Sequence, residues 1–133
     1  MSVIVDTSVW SLAFRRHQPS TLSPSIESLQ RLIEADQVTI LGAIRQELLS
    51  GIRSAEQFER LREYLTAFSD LEVKTQDYEL AAEFFNTCRS RGIQGSNTDF
   101  LICAVAYRYN YSIVTTDNDF QNFYPHIPVQ LFT

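Results

Sequence analysis

Short apolar runs alternate with amphipathic helical patterns along the chain, and this alternation restricts the fold more than any other feature. The runs VIV (3–5), VTIL (38–41), LEVKT (71–75), YSIVTT (111–116) and VQLF (129–132) each predict a strand. Strands that alternate with helices form βαβ units, in which the strands run parallel. The sequence therefore predicts an α/β fold with a central parallel sheet and helices on both faces.

Residues 1–133 are predicted to form one domain. A chain of 133 residues with 44% apolar content suits a single compact core. Its two cysteines, Cys88 and Cys103, lie in apolar helical patterns and have neither disulfide-framework nor zinc-finger spacing. No apolar run approaches the roughly 18 to 20 residues that span a bilayer. We expect a cytoplasmic protein with no membrane segment.

Acidic residues follow two of the predicted strands. Asp6 comes directly after VIV, Asp117 directly after YSIVTT, and Asp119 two residues later. Because the carboxyl ends of parallel strands meet at one edge of a sheet, we expect these carboxylates to lie close together. Asp6 could instead cap a helix, and the sequence Asp-Asn-Asp is also common in turns.

Two helices are expected to bring further carboxylates to the same edge. Glu47 follows Ile44 and precedes Leu48, which predicts that it shares their core-facing stripe soon after VTIL. Asp99 opens the apolar helix FLICAVAY, with Ser96 or Asn97 as its cap. Both residues also have a structural explanation without a functional role. Glu47 could extend to solvent beside the stripe, and Asp99 could only interact with the helix dipole.

A divalent cation would offset the repulsion among these acids. The chain carries a net charge of −5, and no run of Lys or Arg stands beside any of the acids. Mg²⁺ and Mn²⁺ prefer oxygen ligands, and one or two such ions would let phosphate approach. The hydroxyls of Thr7, Ser8 and Thr116 are expected to orient the ligands. The sequence thus predicts metal-dependent phosphodiester chemistry.

Four segments in this order resemble the motifs of the PIN-domain nucleases, most closely the VapC-type toxins of bacterial VapBC toxin–antitoxin systems. They are VDTSVW at the amino terminus, EL with a following glycine at 47–51, DFLICAVA from residue 99, and IVTTDNDF at 113–120. The resemblance implies a PIN-like three-layer α/β/α domain with about five parallel strands. It also implies an endoribonuclease that cuts a structured RNA such as tRNA or rRNA, acts as a homodimer and is inhibited by an antitoxin.

By the same resemblance, four acids are both catalytic and ligands of Mg²⁺ or Mn²⁺, with Ser8 or Thr116 assisting: Asp6, Glu47, Asp99 and Asp117. Asp117 and Asp119 compete for the fourth position. Thr116 stands where a basic residue is frequent in the family. Arg15 and Arg16, close to Asp6 in sequence, are the predicted contacts to RNA phosphates.

Other functions fit the sequence less well. Receiver domains and haloacid-dehalogenase-like phosphatases also place an Asp after the first strand, but they need a lysine near it, and Lys74 is the only lysine. Ser8 lacks a histidine partner that the sequence can identify. A PIN-like DNA or flap nuclease and a non-catalytic PIN scaffold that binds a partner stay open.

Two surface features complete the sequence-based expectations. The arginine pairs Arg60/Arg62 and Arg89/Arg91 are interpreted as parts of solvated helix faces. The helices around 58–68 and 78–85 carry more aromatic and aliphatic residues than one small core needs, so another chain is expected to cover part of them.

Overall fold

The predicted parallel sheet is centred on the first strand. The computed structural model describes residues 2–15 and 24–132. Within them, strands β1 (Val3–Val5), β2 (Val38–Thr39) and β3 (Ser112–Val114) pair in the order β2–β1–β3. Both pairings are parallel, and Val5 of β1 stands opposite Val114 of β3. The carboxyl ends of β1 and β3 therefore meet at one edge, as expected.

Two further segments form only single parallel bridges, one on each side of the sheet; one lies in the predicted strand VQLF and the other directly before the predicted strand LEVKT. Ile40 bridges to Asp70, and Ile113 bridges to Leu131. The segment 71–74 forms no longer ladder because the next helix begins at Thr75. With these bridges the sheet has five parallel positions, three of which are strands in the described residues.

Seven helices connect these strands within the described residues. Helix α1 packs against α2 and α3, and α5 packs against α6. None of the helices described is long and apolar enough to cross a membrane. Their bounds are α1 Thr7–Arg15, α2 Pro24–Glu34, α3 Gly42–Leu49, α4 Ala55–Leu65, α5 Thr75–Arg89, α6 Asn97–Tyr109 and α7 Asp119–Phe123.

The direction of the connections places a crevice beside β1. The chain moves from β1 to β2 and the Asp70 bridge on one side, and then returns across β1 to β3 on the other. Because parallel crossovers are right-handed, α1 to α4 cover one face of the sheet and α5 to α7 the other. Ligands of such sheets bind outside the carboxyl ends of the strands, where the connections diverge. Here this point lies between the ends of β1 and β3.

The core is centred on β1 and on helix α6, which is buried on all sides over nearly two turns. Val3, Ile4 and Val5 are at most 1% exposed, and α6 is buried continuously from residue 100 to residue 106. Trp10 is fully buried, and its indole N–H donates a 3.1 Å hydrogen bond to the Val5 carbonyl. The sequence expectation of a centrally packed α6 is confirmed.

A buried ion pair holds α5 against α6 at the end of α6 that is distant from Asp99. Asp77 is 1% exposed, and its carboxylate accepts hydrogen bonds from Arg108 at 2.7 and 2.8 Å. Burial alone would raise the pKa of Asp77, but the hydrogen bonds from Arg108 and from the Lys74 N–H keep it below its ordinary value. The ionised pair therefore stabilises the fold at neutral pH, and this contribution is lost as the pH falls through the depressed pKa.

We predict that Arg108→Met lowers the free energy of unfolding by about 2 to 3 kcal/mol, because Asp77 is left buried without its partner. Arg62→Met is the control. It breaks the Arg62–Glu59 pair, whose side chains are 52% and 56% exposed, and should cost much less stability, because solvent screens the pair. Urea denaturation of both variants measures the difference. Equal losses in the two variants would show that the Asp77 pair has no special role.

Candidate metal-dependent active site

The first carboxylate of the site is buried at the end of β1. Asp6 follows Val5 directly, is 4% exposed, and donates its backbone N–H to the Val114 carbonyl at 2.8 Å. Its Oδ2 accepts the Ser8 hydroxyl at 2.9 Å, the Thr115 hydroxyl at 3.0 Å and the Ser8 N–H at 3.4 Å. These donors fix the orientation of the carboxylate. Of the hydroxyls named from the sequence, only that of Ser8 is among them.

The same hydroxyls connect the ends of β1 and β3. Thr115 Oγ1 accepts the Asp117 N–H at 2.9 Å, and Ser8 Oγ accepts the Thr116 N–H at 3.1 Å. In the described structure the threonine that bonds the Asp6 carboxylate is Thr115, whereas Thr116 is exposed and contributes its backbone. The expectation for the Thr116 hydroxyl was wrong because β3 ends at Val114, two residues earlier than predicted.

The second carboxylate caps α6. Ser96 Oγ accepts the Asp99 N–H at 3.1 Å, and Asp99 Oδ2 accepts the Ser96 N–H at 3.2 Å, so the two form a capping box. Ser96, rather than Asn97, is the cap. The structural role proposed for Asp99 is therefore real. It leaves the second carboxylate oxygen of Asp99 outside the capping box.

Three carboxylates converge at this edge of the sheet. One oxygen from each of Asp99, Asp117 and Asp119 lies within 4.8 Å of the others. Opposite ligands of one Mg²⁺ are about 4.2 Å apart, so small side-chain movements would let these three share an ion. All the donors are hard carboxylate oxygens, which suits Mg²⁺ and Mn²⁺. The residues present thus fit a divalent cation.

The two acids after β3 differ in burial and in bonding. Asp117 is half-buried, and its Oδ1 accepts the Asp119 N–H at 2.9 Å. Asp119 begins α7, as expected, and is exposed. Asp117, not Asp119, therefore binds an amide of the first turn of α7. Both belong to the converging cluster.

Glu47 takes a different position from the one predicted. Ile44 and Leu48 are buried on the core side of α3, but Glu47 is exposed, so its placement on their stripe was wrong. The reason is the 3.6-residue period, which turns Glu47 away from Leu48 by about 100°. Its Oε1 accepts the Thr7 hydroxyl at 2.7 Å. It lines an open cavity of about 520 Å³ together with Thr7 and Thr98, the residue before Asp99.

Burial and mutual repulsion act on the acids of the site. Burial raises the pKa of Asp6, although hydrogen bonds from Ser8 and Thr115 oppose the shift. Burial also raises the pKa of Asp99, the bonds to Ser96 oppose this, and the charges of Asp6 and Asp117 raise it further. The folded chain therefore holds negative charge at this edge at an energetic cost that a cation would relieve.

The residues that a lysine-dependent phosphotransfer site would need are elsewhere. Lys74 directly precedes α5, next to the Asp77–Arg108 pair. Arg108 lies nine residues after Asp99 on α6, a separation of about 13 Å along the helix. The only lysine of the sequence is thus far from the acids. Arg15 and Arg16 were predicted to contact RNA. The side chain of Arg15 and the whole of Arg16 lie outside the part of the chain that the structure describes.

The model of the PIN domain family matches residues 3–124. The chain belongs to the PIN-domain family. The match includes all the acids of the site and both strands that present Asp6 and Asp117. No curated protein matches the sequence significantly.

Solved structures share the fold of this PIN domain over nearly its whole length. A chain of FitAcB from Neisseria gonorrhoeae is 18% identical, with a TM-score of 0.76 over 98% of this chain and 96% of that one. A chain of VapBC2 from Rickettsia felis, bound to a DNA fragment from the promoter, is 20% identical, with a TM-score of 0.76 and coverage of 99% and 98%. A chain of VapBC-1 from nontypeable Haemophilus influenzae is 18% identical, with a TM-score of 0.72 and coverage of 99% and 97%.

We predict that Asp99→Asn does not destabilise the metal-free PIN domain at neutral pH. Raised pKa values of Asp6 and Asp99 mean that wild-type stability falls as the pH rises from the ordinary carboxyl value of 3.8 through the raised folded values. The amide removes one ionising group and can still accept the Ser96 N–H. Denaturation in chelator between about pH 4 and pH 8 should show a shallower fall for the variant.

Addition of Mn²⁺ extends the same experiment. At 100 times the dissociation constant the ion should add about 2.7 kcal/mol to wild-type stability, and less to Asp99→Asn. Glu34→Gln, at an exposed position on α2, is the control and should behave as wild type in both arms. A metal-free Asp99→Asn protein that is clearly less stable than wild type at neutral pH would contradict electrostatic repulsion at this site.

Proposed function

We propose that this PIN domain is an endoribonuclease that depends on Mg²⁺ or Mn²⁺ and hydrolyses phosphodiester bonds. The convergence of Asp99, Asp117 and Asp119 beside Asp6 is the observation that carries the proposal. Phosphate would be repelled by these acids and by the net charge of −5. A substrate with a phosphate backbone can therefore bind here only when a cation offsets the carboxylates.

Each acid has a distinct proposed role. Asp99 and Asp117 bind the ion directly. Asp6 is also a ligand, and its carboxylate is held in position by the hydroxyls of Ser8 and Thr115. Glu47, oriented by Thr7, completes the ligand set from the other side of the open cavity. When bound, the ion would lower the pKa of an attacking water and stabilise charge on the phosphate oxygens. Asp119 is the alternative to Asp117 as the fourth ligand.

RNA is the proposed substrate class, and a structured RNA such as tRNA or rRNA is the expected target. The fold is shared with chains of VapBC and FitAcB, and the sequence motifs resemble VapC-type toxins. On this basis we propose that the chain is the toxin of a type II toxin–antitoxin pair in the cytoplasm, and that a cognate antitoxin inhibits it. Two alternatives are a DNA or flap nuclease that uses the same acids and a non-catalytic scaffold that binds a partner.

Exposed aromatic residues support association with another chain. Tyr64 on α4 is 46% exposed and Tyr78 on α5 is 58% exposed, on the two helices that the sequence marks as too apolar for one core. Large exposed aromatic side chains are common at protein interfaces. We propose a homodimer in which at least one of these residues is covered.

We predict that the purified protein is a dimer at micromolar concentration in light-scattering measurements. Tyr78→Glu or Tyr64→Glu should increase the monomer fraction, because each introduces a charge into the covered surface. Tyr124→Glu is the matched control, since Tyr124 is also 58% exposed but lies after α7. A strictly monomeric wild-type protein from which no partner is recovered would contradict association.

We predict that wild-type protein cleaves RNA with Mn²⁺, does not cleave single-stranded DNA of the same sequence, and loses activity in chelator. Asp117→Ala should lower the rate by more than about 100-fold, because it removes a direct ligand that is fixed beside the Asp6 network. Asp119→Ala should lower it by about 10-fold, with partial recovery in excess Mn²⁺, because Asp119 is the more exposed acid. Cleavage rates and Mn²⁺ affinity are measured for both variants.

Each alternative gives a different result in this experiment. Cleavage of DNA in preference to RNA would support the flap-nuclease alternative. An absence of cleavage together with normal Mn²⁺ binding would support a scaffold. A larger loss in Asp119→Ala than in Asp117→Ala would reverse their roles. Glu34→Ala is the control for loss of an acid outside the site.

A further inference from the structure

One exposed arginine, Arg91, contacts a histidine. In the part of the chain that the structure describes, Arg31, Arg53 and Arg89 also form no ion pair, but none of them has such a contact. Within residues 24–132, Arg91 has no carboxylate oxygen within 4.0 Å and instead lies 3.3 Å from Nδ1 of His126 through its NH1 atom. It lies in the turn after α5, not on the helix face assigned to it from sequence. The arginines that are paired with acids are Arg45, Arg60, Arg62 and Arg108.

The chemistry of the Arg91–His126 contact fixes the tautomer of the histidine. A guanidinium group has donors and no acceptor, so Nδ1 of His126 must accept the hydrogen bond. The ring proton is therefore on Nε2, which leaves one N–H of the imidazole available as a donor. Arg91 is exposed and His126 is half-buried, so the remaining donors of both groups can reach a ligand from solvent.

The pair is connected through short segments to the elements that carry the candidate metal site. The loop 90–96 runs from the end of α5 to Ser96, the cap that also binds Asp99. Gly95 packs so closely against the ring of Phe123 that a Cβ there would collide with it. The backbone N–H of His126 donates a hydrogen bond to the Phe123 carbonyl at 2.9 Å. Both members are therefore attached to the elements that present Asp99 and Asp119.

Along the chain, helix α7 lies between the acids and His126. Helix α7 has five residues from Asp119 to Phe123 and is about 7 Å long, with His126 just beyond it. A phosphate held at the pair would thus lie beyond the far end of α7, away from the phosphate at the metal site. A guanidinium can donate two parallel hydrogen bonds to phosphate, and the Nε2–H of His126 can add a third.

We propose that Arg91 and His126 form a subsite that binds a backbone phosphate of the RNA substrate next to the one that is cut. The inference rests on the proposed function, since it assigns a substrate contact to the same site. It supplies positive charge on a chain whose net charge is −5 and whose metal site is acidic. Arg89, exposed at the end of α5, adds charge to the same turn.

The test is the salt dependence of RNA binding. A fluorescent single-stranded RNA is titrated with Asp99→Asn protein, which is used as the parent because it should not cleave. Each phosphate contact on a single strand contributes about 0.7 to the slope of log K against log salt. Arg91→Gln should therefore lower the slope by about 0.7, and weaken binding by about 8-fold at 50 mM salt and about 3-fold at 200 mM.

Matched variants separate a specific contact from a change in net charge. Arg60→Gln removes the same charge from an exposed arginine that pairs with Glu56 at 3.6 Å, and should leave the slope as in the parent. Arg91→Lys should keep the slope but recover only part of the affinity, because lysine lacks the two parallel donors. His126→Ala should weaken binding without changing the slope. Thermal melting confirms that each variant is folded.

The outcomes distinguish this subsite from the function on which it rests. Equal slopes for Arg91→Gln and Arg60→Gln, with a wild-type protein that cleaves RNA, would overturn the subsite alone. If Arg91→Gln weakened the binding of a protein partner but not of RNA, the subsite would also be overturned. A parent with no salt-dependent RNA binding, together with a wild-type protein that does not cleave RNA, would overturn both proposals.

Discussion

The parallel pairing of β1 with β3 is the constraint on which the site depends. It places Val5 opposite Val114, so the residues that follow them, Asp6 and Thr115, meet at one edge of the sheet. The N–H of Asp6 is used for the ladder, and its carboxylate binds the hydroxyls that link the two strand ends. A shift of this register would separate the acids as well as the strands.

The site concentrates negative charge where the fold provides few ways to neutralise it. Elsewhere the chain pairs acids with arginines, as in the buried Asp77 with Arg108 and the exposed Asp70 with Arg45. At Asp6 and Asp99 the compensation comes from hydroxyl and amide donors, and burial still raises both pKa values. An arrangement that costs stability without a ligand is typical of functional sites, where the ligand restores the balance.

The arginines illustrate the same division between structure and function. Arg45 donates to the Leu65 and Phe68 carbonyls and pairs with Asp70, so it joins α3 to the chain after α4. Arg108 joins α5 to α6. Arg91 has no such structural contact to an acid in the described part of the chain. Its side chain contacts His126 instead, and its remaining donors face solvent, where the proposed substrate contact would form.

The sequence by itself determined the architecture and most of the acids. Apolar runs of the right length predicted the parallel sheet, and the position of an acid directly after such a run is local information that tertiary contacts do not alter. The Ser96–Asp99 cap is local for the same reason, since both residues lie in one helical turn. The four motifs in order then identified the family.

Tertiary structure decided the features that depend on distant residues. LEVKT forms no strand and VQLF forms a single bridge, because of the start of α5 and of the neighbours at the sheet edge. The choice of Thr115 over Thr116 follows from the point at which β3 leaves the sheet, and two adjacent hydroxyls look alike in sequence. The Thr7–Glu47 hydrogen bond joins residues 40 positions apart in the sequence, and the Arg91–His126 contact joins residues 35 positions apart. Such pairs arise from packing, because no local pattern brings them together.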